Sequence, residues 1–271
     1  VTPEETARLA AATREMQSRL SVTSTWRVLA TALRGLAVSP ELVVCYGLGT
    51  PTSSRVARAQ LALLLLIQAE LGRLAGARWQ PRARSETSVA GAPGAEAPTH
   101  PNNAGAMAAP VTARAPGSGP PEPQAVSLPH RLPPPGVYDP VLTQADSELL
   151  DHLGCIRLTA PDATSQHRTR GRPSLFFMPH CDEALYDDVV AANWEAGTVD
   201  GGRDLEALVI VGNSFQAYVD RVVDRGRYAQ GDAVRAAALV AEEVAVPDND
   251  AIVVGAFNNL SVHSFHQRGS P

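Results

Sequence analysis

The chain of 271 residues carries 23 basic and 28 acidic side chains, a formal net charge of -5, and 44% apolar residues. So mild a balance excludes a broad nucleic-acid-binding face or a polybasic membrane surface, while the apolar share suffices for a sizeable core. Every basic residue is arginine, which excludes lysine Schiff-base chemistry and a phosphate-gripping P-loop lysine. From the N-terminus, Leu9, Met16, Leu20, Trp26, Leu29 and Leu33 recur at helical spacing and predict a helical segment over residues 4–36. Glu4 and Glu5 suit its start and Gly35 its stop. Pro40 introduces a buried-strand run at 41–46, which ends in Gly47-Leu48-Gly49 and the hydroxyl-rich stretch Thr50-Pro51-Thr52-Ser53-Ser54. Residues 54–71 then read as a helix apolar on nearly every side, as a core helix against a sheet would be.

Composition changes abruptly at residues 76–135, where Pro, Ala, Gly and Ser displace large apolar side chains. A segment of this kind buries too little surface to offset ordering costs of about 1–2 kcal/mol per residue, and it is expected to be a disordered insertion. Arg78, Arg82 and Arg84 at its start read as solvated charges or as contacts to a partner.

Order is expected again from Gly136-Val-Tyr-Asp139-Pro140, an extended piece, followed by an amphipathic helix over 144–153 and a short strand at 155–158. Residues 174–178 form a further strand, and Asp182 caps a helix through Trp194. The run 205–212 is the clearest buried strand. A helix from Asn213 and Ser214 to about Arg225, another over 232–245, and a last strand at 251–254 complete the reading. Strands alternating with helices predict an α/β fold, a single Rossmann-like domain with a mostly parallel sheet covered on both faces. An N-terminal helical segment (1–40) precedes this domain (41–271), and the carboxyl ends of its strands form the expected ligand edge.

Cys45, Cys155 and Cys181 make an odd count in apolar surroundings, the usage of a reducing compartment. The longest apolar stretch, Leu61–Ile67, is too short to span a bilayer, and no secretory signal opens the chain, although Val1 leaves its true start open. A soluble intracellular protein of the cytoplasm or nucleus is expected.

Several segments in fixed order carry a resemblance. They are Cys45-Tyr-Gly-Leu-Gly49 with the leucine-rich helix after it, Tyr138-Asp-Pro-Val141, and Glu148-Leu-Leu150 with Leu153-Gly154. Phe176-Phe-Met-Pro-His-Cys181, Leu185-Tyr186 and Asn193-Trp194 follow, then Val211-Gly-Asn-Ser-Phe215, Ala256-Phe-Asn-Asn259 and Ser261-Val-His263. Together they resemble the sensitivity-to-red-light-reduced (SRR-like) family. The resemblance implies a regulatory role linked to light signalling, circadian rhythm or haem biosynthesis, with no established reaction. The chain departs from the family pattern in its long insertion and in Asn259-Leu260, where Asp-Thr is usual; the second change puts in doubt a metal or proton role there.

Candidate site residues gather at the strand ends. Gly47 and Gly49, with Thr52, Ser53 and Ser54 at a helix start, could hold an anion or form a capped strand-to-helix turn. Asp139 stands where Rossmann-like folds hold a ribose, or in an Asp-Pro turn. His180 could act as a base or, with Cys181, as an axial haem ligand, the alternative being a buried histidine bonded to backbone. Adjacent positions point apart, which argues against a Cys–His hydrolase. Asn213 and Ser214 read as helix caps or as ligand contacts. His263 and His266 have a helical metal spacing without a third ligand, and are expected to be exposed tail residues. Asn259-Leu-Ser261 matches a glycosylation triplet by chance.

The residues therefore support two readings. In one, a non-catalytic regulator binds protein partners or a small sensing ligand. In the other, a methyltransferase-like enzyme binds S-adenosylmethionine or another adenosine ligand along Gly47–Ser54 and Asp139. Neither reading calls for a metal, a nucleic acid or a membrane.

Overall fold

The computed structural model describes residues 2–78, 132–160, 166–194, 201–220, 232–248 and 252–265, among which eight helices and seven strands form. Helix α1 (Pro3–Leu20) starts at Thr2, whose side chain accepts the Glu5 amide, with proline in its first turn. It stops at Ser21, and a second helix, α2 (Ser24–Gly35), restarts from Thr23, which caps the Trp26 amide. The single helix expected over 4–36 is thus two. Ser21 and Thr23 turn their hydroxyls back onto the carbonyls of Ser18 and Leu20, a local alternative to continuing the helix.

Strand β1 (Leu42–Tyr46) leads into α3 (Arg55–Arg78), and β2 (Gly136–Tyr138) into α4 (Gln144–His152). Strands β3 (Ile156–Arg157) and β4 (Ser174–Met178) follow, then α5 (Glu183–Asn193), α6 (Gly201–Glu206) and β5 (Leu208–Asn213). Helices α7 (Phe215–Asp220) and α8 (Asp232–Ala238) precede the hairpin of β6 (Glu242–Ala245) and β7 (Leu260–Ser264). The sheet order is β3-β2-β1-β4-β5-β7-β6, with β1 to β5 parallel and β7 antiparallel to both its neighbours.

Side chains of successive strand residues go to opposite faces. Val43, Cys45, Leu175, Phe177, Val209 and Val211 therefore pack with α1, α2, α3 and α4. Val44, Tyr46, Phe176, Met178 and Ile210 pack with α5, α7 and α8 on the other face. The N-terminal helices share this core through Ala10, Leu20, Leu29 and Leu33. By length and composition α3 could cross a membrane, which the short run at Leu61–Ile67 had not suggested. Here it is the central core helix, with Leu61, Leu63, Leu64 and Ile67 fully buried.

Four expectations are corrected. The helix expected over 232–245 ends at Ala238, and Glu242–Ala245 pairs with β7 as an edge strand. Of the strand expected at 251–254, the described residues 252–254 form bends and a turn, in which Val254 is 91% exposed and the Ala256 amide bonds to the Val253 carbonyl. The chain-terminal strand is instead Leu260–Ser264. Strand β5 begins at Leu208, because Leu205 and Glu206 end α6. The expected insertion is narrower at both ends: α3 runs to Arg78, and Leu132 packs on the core while the Pro133 carbonyl accepts from Gln68. Residues 79–131, with Arg82 and Arg84, lie outside the described residues, as does the helix expected beyond Asp220.

Two buried carboxylates tie distant elements together. Asp146, fully buried, caps α4 through the amide and hydroxyl of Thr143 (2.9 and 2.7 Å) and also accepts the amide and hydroxyl of Thr52 (2.9 and 2.7 Å). Burial pushes its carboxyl up, but these hydrogen bonds from Thr143 and Thr52 together hold it below its ordinary value. Glu70 of α3 accepts from Arg73 (2.8 Å) and from Arg34 of α2 (2.6 Å). The Arg73 hydrogen bond foremost, against burial and with help from Arg34, holds it at about 2.

Substituting Asp146→Ala orphans Thr52 and Thr143 donors at once. We expect a loss of about 2–4 kcal/mol in urea unfolding, with the slope of the transition unchanged. For Glu70 the folded value of about 2 lies below the ordinary 4.5, so its contribution is complete above pH 4.5 and is lost as pH falls towards 2. The Glu70→Gln variant should unfold with a visibly flatter pH dependence across that window.

Candidate functional site

The parallel strands β1, β2, β4 and β5 end on one edge, and all ten sequence-predicted residues lie there, Asn213 as the last residue of β5 and the other nine in the turns that follow the strands. After β1 the chain reverses through Gly47 and Gly49, both left-handed at φ 68° and 72°, a conformation glycine adopts at little cost. The Gly49 amide donates to Asp139 Oδ2 at 2.7 Å, and Asp139 Oδ1 accepts the Val141 amide at 3.0 Å. Asp139 is thus in an Asp-Pro turn and at the glycine turn simultaneously, with its carboxylate aimed at the loop rather than outward. Of the hydroxyls beyond it, Ser54 caps α3 through the Ala57 amide, Ser53 pairs with Thr50 at 2.6 Å, and Thr52 is held by Asp146. Arg58 closes the turn from below, donating to the carbonyls of Pro51 and Thr52.

After β4, Pro179-His180-Cys181 crosses towards the glycine turn. The Cys181 thiol donates to the Tyr46 carbonyl at 3.4 Å, and a Cβ on Gly47 would stand 2.5 Å from its sulfur. Gly47 is therefore required twice, by its backbone angle and by close packing. Burial, with the Asp182 and Asp139 charges adding to it, pushes the Cys181 thiol up to about 12. Ligation and nucleophilic attack call for an accessible thiolate, and this thiol is neither accessible nor ionised. His180 is exposed, and its backbone is left-handed at φ 59°. Burial of part of the ring lowers its pKa, opposed by Asp248, so at neutral pH it is an uncharged imidazole able to donate or accept.

Asn213 holds this loop in place, which the helix-cap reading did not foresee. Its Oδ1 accepts the His180 amide (3.2 Å), and its Nδ2 donates to the Cys181 carbonyl (3.1 Å) and the Tyr218 hydroxyl (2.9 Å). The capping duty falls to Ser214, whose hydroxyl accepts the Ala217 amide. Tyr186 completes the brace, donating to the Met178 carbonyl and accepting the Asn213 amide. Gly212 has no side chain because any Cβ there would run into the Tyr186 hydroxyl. The structure thus brings Asp139, Gly49, Gly47, Cys181, His180 and Asn213 into one continuous line of contacts.

Sequence reasoning missed Asp146, Tyr186 and Glu243. The Thr143-x-x-Asp146 spacing was a legible capping signal, whereas the brace by Tyr186 depends on contacts across the sheet edge. His263 is corrected outright: it lies in β7, wholly buried, and not in an exposed tail, while His266 lies outside the described residues. Asn259 sits in a turn with Ser261 buried beside it in β7.

A family model for the SRR1 domain matches residues 29–79 and 132–264, more than half of the chain. The chain is 34% identical over 130 residues to Protein SENSITIVITY TO RED LIGHT REDUCED 1 of Arabidopsis thaliana, covering 48% of this chain and 44% of that protein. It is 33% identical over 89 residues to an SRR1-like protein of Mus musculus, covering 33% of each. An SRR1-like protein of Drosophila melanogaster is 28% identical over 135 residues, covering 49% of this chain and 44% of that one. The aligned segments span less than half the length of each of these relatives. No solved structure matches the chain. The chain belongs to the SRR1 domain family.

Proposed function

We propose that this chain is a regulatory module that works by binding and not by catalysis, in light-linked or circadian control or in the regulation of haem biosynthesis. Its place of action is the cytoplasm or nucleus, and its binding face is the carboxyl edge around His180. The observation that carries this reading is the inward wiring of the glycine turn. The Gly49 amide is taken by Asp139, the Thr52 amide by Asp146, and the space over Gly47 by the Cys181 thiol. A turn that cradles a ligand phosphate offers such amides outward, whereas these face the protein's own carboxylates. The Arabidopsis relative's name, which refers to sensitivity to red light, supports placing the family in light responses.

A second reading, an enzyme with S-adenosylmethionine or another adenosine ligand, is favoured by the topology. The order β3-β2-β1-β4-β5 supports this reading, because doubly wound Rossmann-like sheets share that order and bind ligands at the switch point, here between β1 and β4. The glycine turn after β1 and the acid after β2 match the first, adenosine-binding half of that design. Its second half is broken by the reversed β7, which supports one adenosine moiety over a dinucleotide. In that reading Asp139 would exchange the Gly49 amide for a ribose hydroxyl. Haem is the weaker candidate, since it would rest on His180 without the Cys181 thiolate.

Thermal unfolding of the full chain with S-adenosylmethionine, S-adenosylhomocysteine, adenine nucleotides, dinucleotides and haemin separates the readings. A ligand at 100 times its dissociation constant stabilises by about 2.7 kcal/mol, a shift of several degrees. We expect no response to the adenosine ligands. Stabilisation by one of them that is lost in Asp139→Asn would replace the regulatory reading by the enzymatic one.

A further inference from the structure

The most unusual buried group lies beside the candidate edge, on the last strand. His263 is fully buried, its ring stacked on Phe215 with centroids 4.0 Å apart and planes at 22°. Its Nδ1 lies 3.3 Å from the Ile210 carbonyl, an acceptor, so Nδ1 carries a proton there. Its Nε2 faces two partners with opposite demands. The Phe215 amide (3.4 Å) is a donor and requires a bare nitrogen, whereas Glu243 Oε2 (3.5 Å) is an acceptor and requires a protonated one. The same Glu243 oxygen accepts the Gln216 amide at 3.2 Å. The first turn of α7 is therefore held jointly by an imidazole and a carboxylate of the β6–β7 hairpin.

We propose that His263 and Glu243 form a proton-operated latch that sets α7 and, through it, the His180 loop. In the neutral state, Nε2 accepts the Phe215 N–H. Adding a proton at Nε2 breaks that hydrogen bond and makes a charge-assisted one to Glu243, which must then share its oxygen between the imidazolium and Gln216. The start of α7 thereby loses one of its two side-chain acceptors from the hairpin. One turn further along α7, the Tyr218 hydroxyl accepts from Asn213 Nδ2, the group that also holds the Cys181 carbonyl. Asn213 Oδ1 in turn holds the His180 amide, so the latch stands two links from the exposed imidazole.

The surroundings fit such a device. Among the described residues, Glu243 of β6 is the charged group that meets the ring; β5 presents the Ile210 carbonyl, α7 presents the Phe215 amide and ring, and β7 has no second ionisable residue. Burial pushes Glu243 up, but hydrogen bonds from Ser214 and Ser261 and, once its ring carries the second proton, the His263 hydrogen bond and charge outweigh it and lower the carboxyl. The proposal holds whether the edge binds a protein or an adenosine ligand.

The test is a pH titration of the ¹⁵N-labelled full chain by NMR in a His180→Asn background, which removes the reporter loop's own titration. Asparagine tolerates the left-handed backbone required at 180. We expect the His263 ring nitrogens, the Phe215 amide, the Asn213 side-chain amide and the Tyr218 amide to shift with one common midpoint. In Glu243→Gln that midpoint should move to lower pH, because the imidazolium loses its neighbouring carboxylate, and in His263→Gln the common step should vanish. An imidazole that stays silent down to pH 5, or one that titrates without moving Asn213 and Tyr218, overturns the proposal. Should His263→Gln fail to fold, an unshifted midpoint in Glu243→Gln overturns it equally.

Discussion

The hydrogen bond from the Gly49 amide to Asp139 is the constraint from which the rest of the carboxyl edge follows. It joins residues 90 apart in the chain, across the whole insertion, and is seconded by Asp146 reaching back to Thr52. Two glycines bend the chain sharply enough after β1 to bring its amides to the sheet edge, where they are partly buried. A buried donor left without a partner costs about 1–3 kcal/mol, so the turn needs acceptors at fixed positions. Asp139 and Asp146 supply them, and in doing so set where α3 and α4 begin. The closure entropy of the segment between them grows only logarithmically with its length, so this pairing tolerates an insertion of any moderate size.

A second knot works on the other side of β1. Tyr186, Asn213 and Tyr218 hold the β4 turn by its backbone, and the Cys181 side chain packs into the space left by Gly47. The two knots share the strand β1 between them, because Tyr46 offers its carbonyl to Cys181 and Gly47 donates to the Tyr138 carbonyl. Polar groups at this edge are thus engaged with one another, and a ligand entering here would have to displace protein hydrogen bonds.

Much of this was legible in the residues. Strands β1, β4 and β5 are short continuous apolar runs between turn signals, and α3 is apolar all round, so each declares burial on both faces by composition alone. Asp139, Cys181 and Asn213 were likewise placed correctly on the edge by counting strand ends. What failed was whatever depended on partners. Glu242-Glu-Val-Ala245 favours helix locally and is a strand only because β7 lies antiparallel beside it. The break at Ser21–Thr23 turns on hydroxyls competing for helix carbonyls. His263 looked like a tail residue because nothing local says that a strand inserts between β5 and β6. Asn213 looked like a cap because its three partners come from two other elements.

The block Phe176–Trp194 shows how much of a family signature is architecture. Phe176, Phe177 and Met178 fill the two faces of the sheet, and Tyr186 braces the strand ends. Asn193 pins the preceding loop through the Thr169 amide and the His167 carbonyl. Cys181 packs against Gly47, and Asp182 caps α5. His180 differs from all of these. The fold's demand at 180 is for a left-handed backbone whose amide reaches Asn213, and glycine would meet it with less strain than any side chain. The imidazole adds nothing to that demand, yet the brace displays it outward at the end of the central strands. A strained backbone that carries an exposed, titratable ring is costly as scaffolding and sensible as a contact. On the binding role proposed for this edge, His180 is the side chain a partner would meet first.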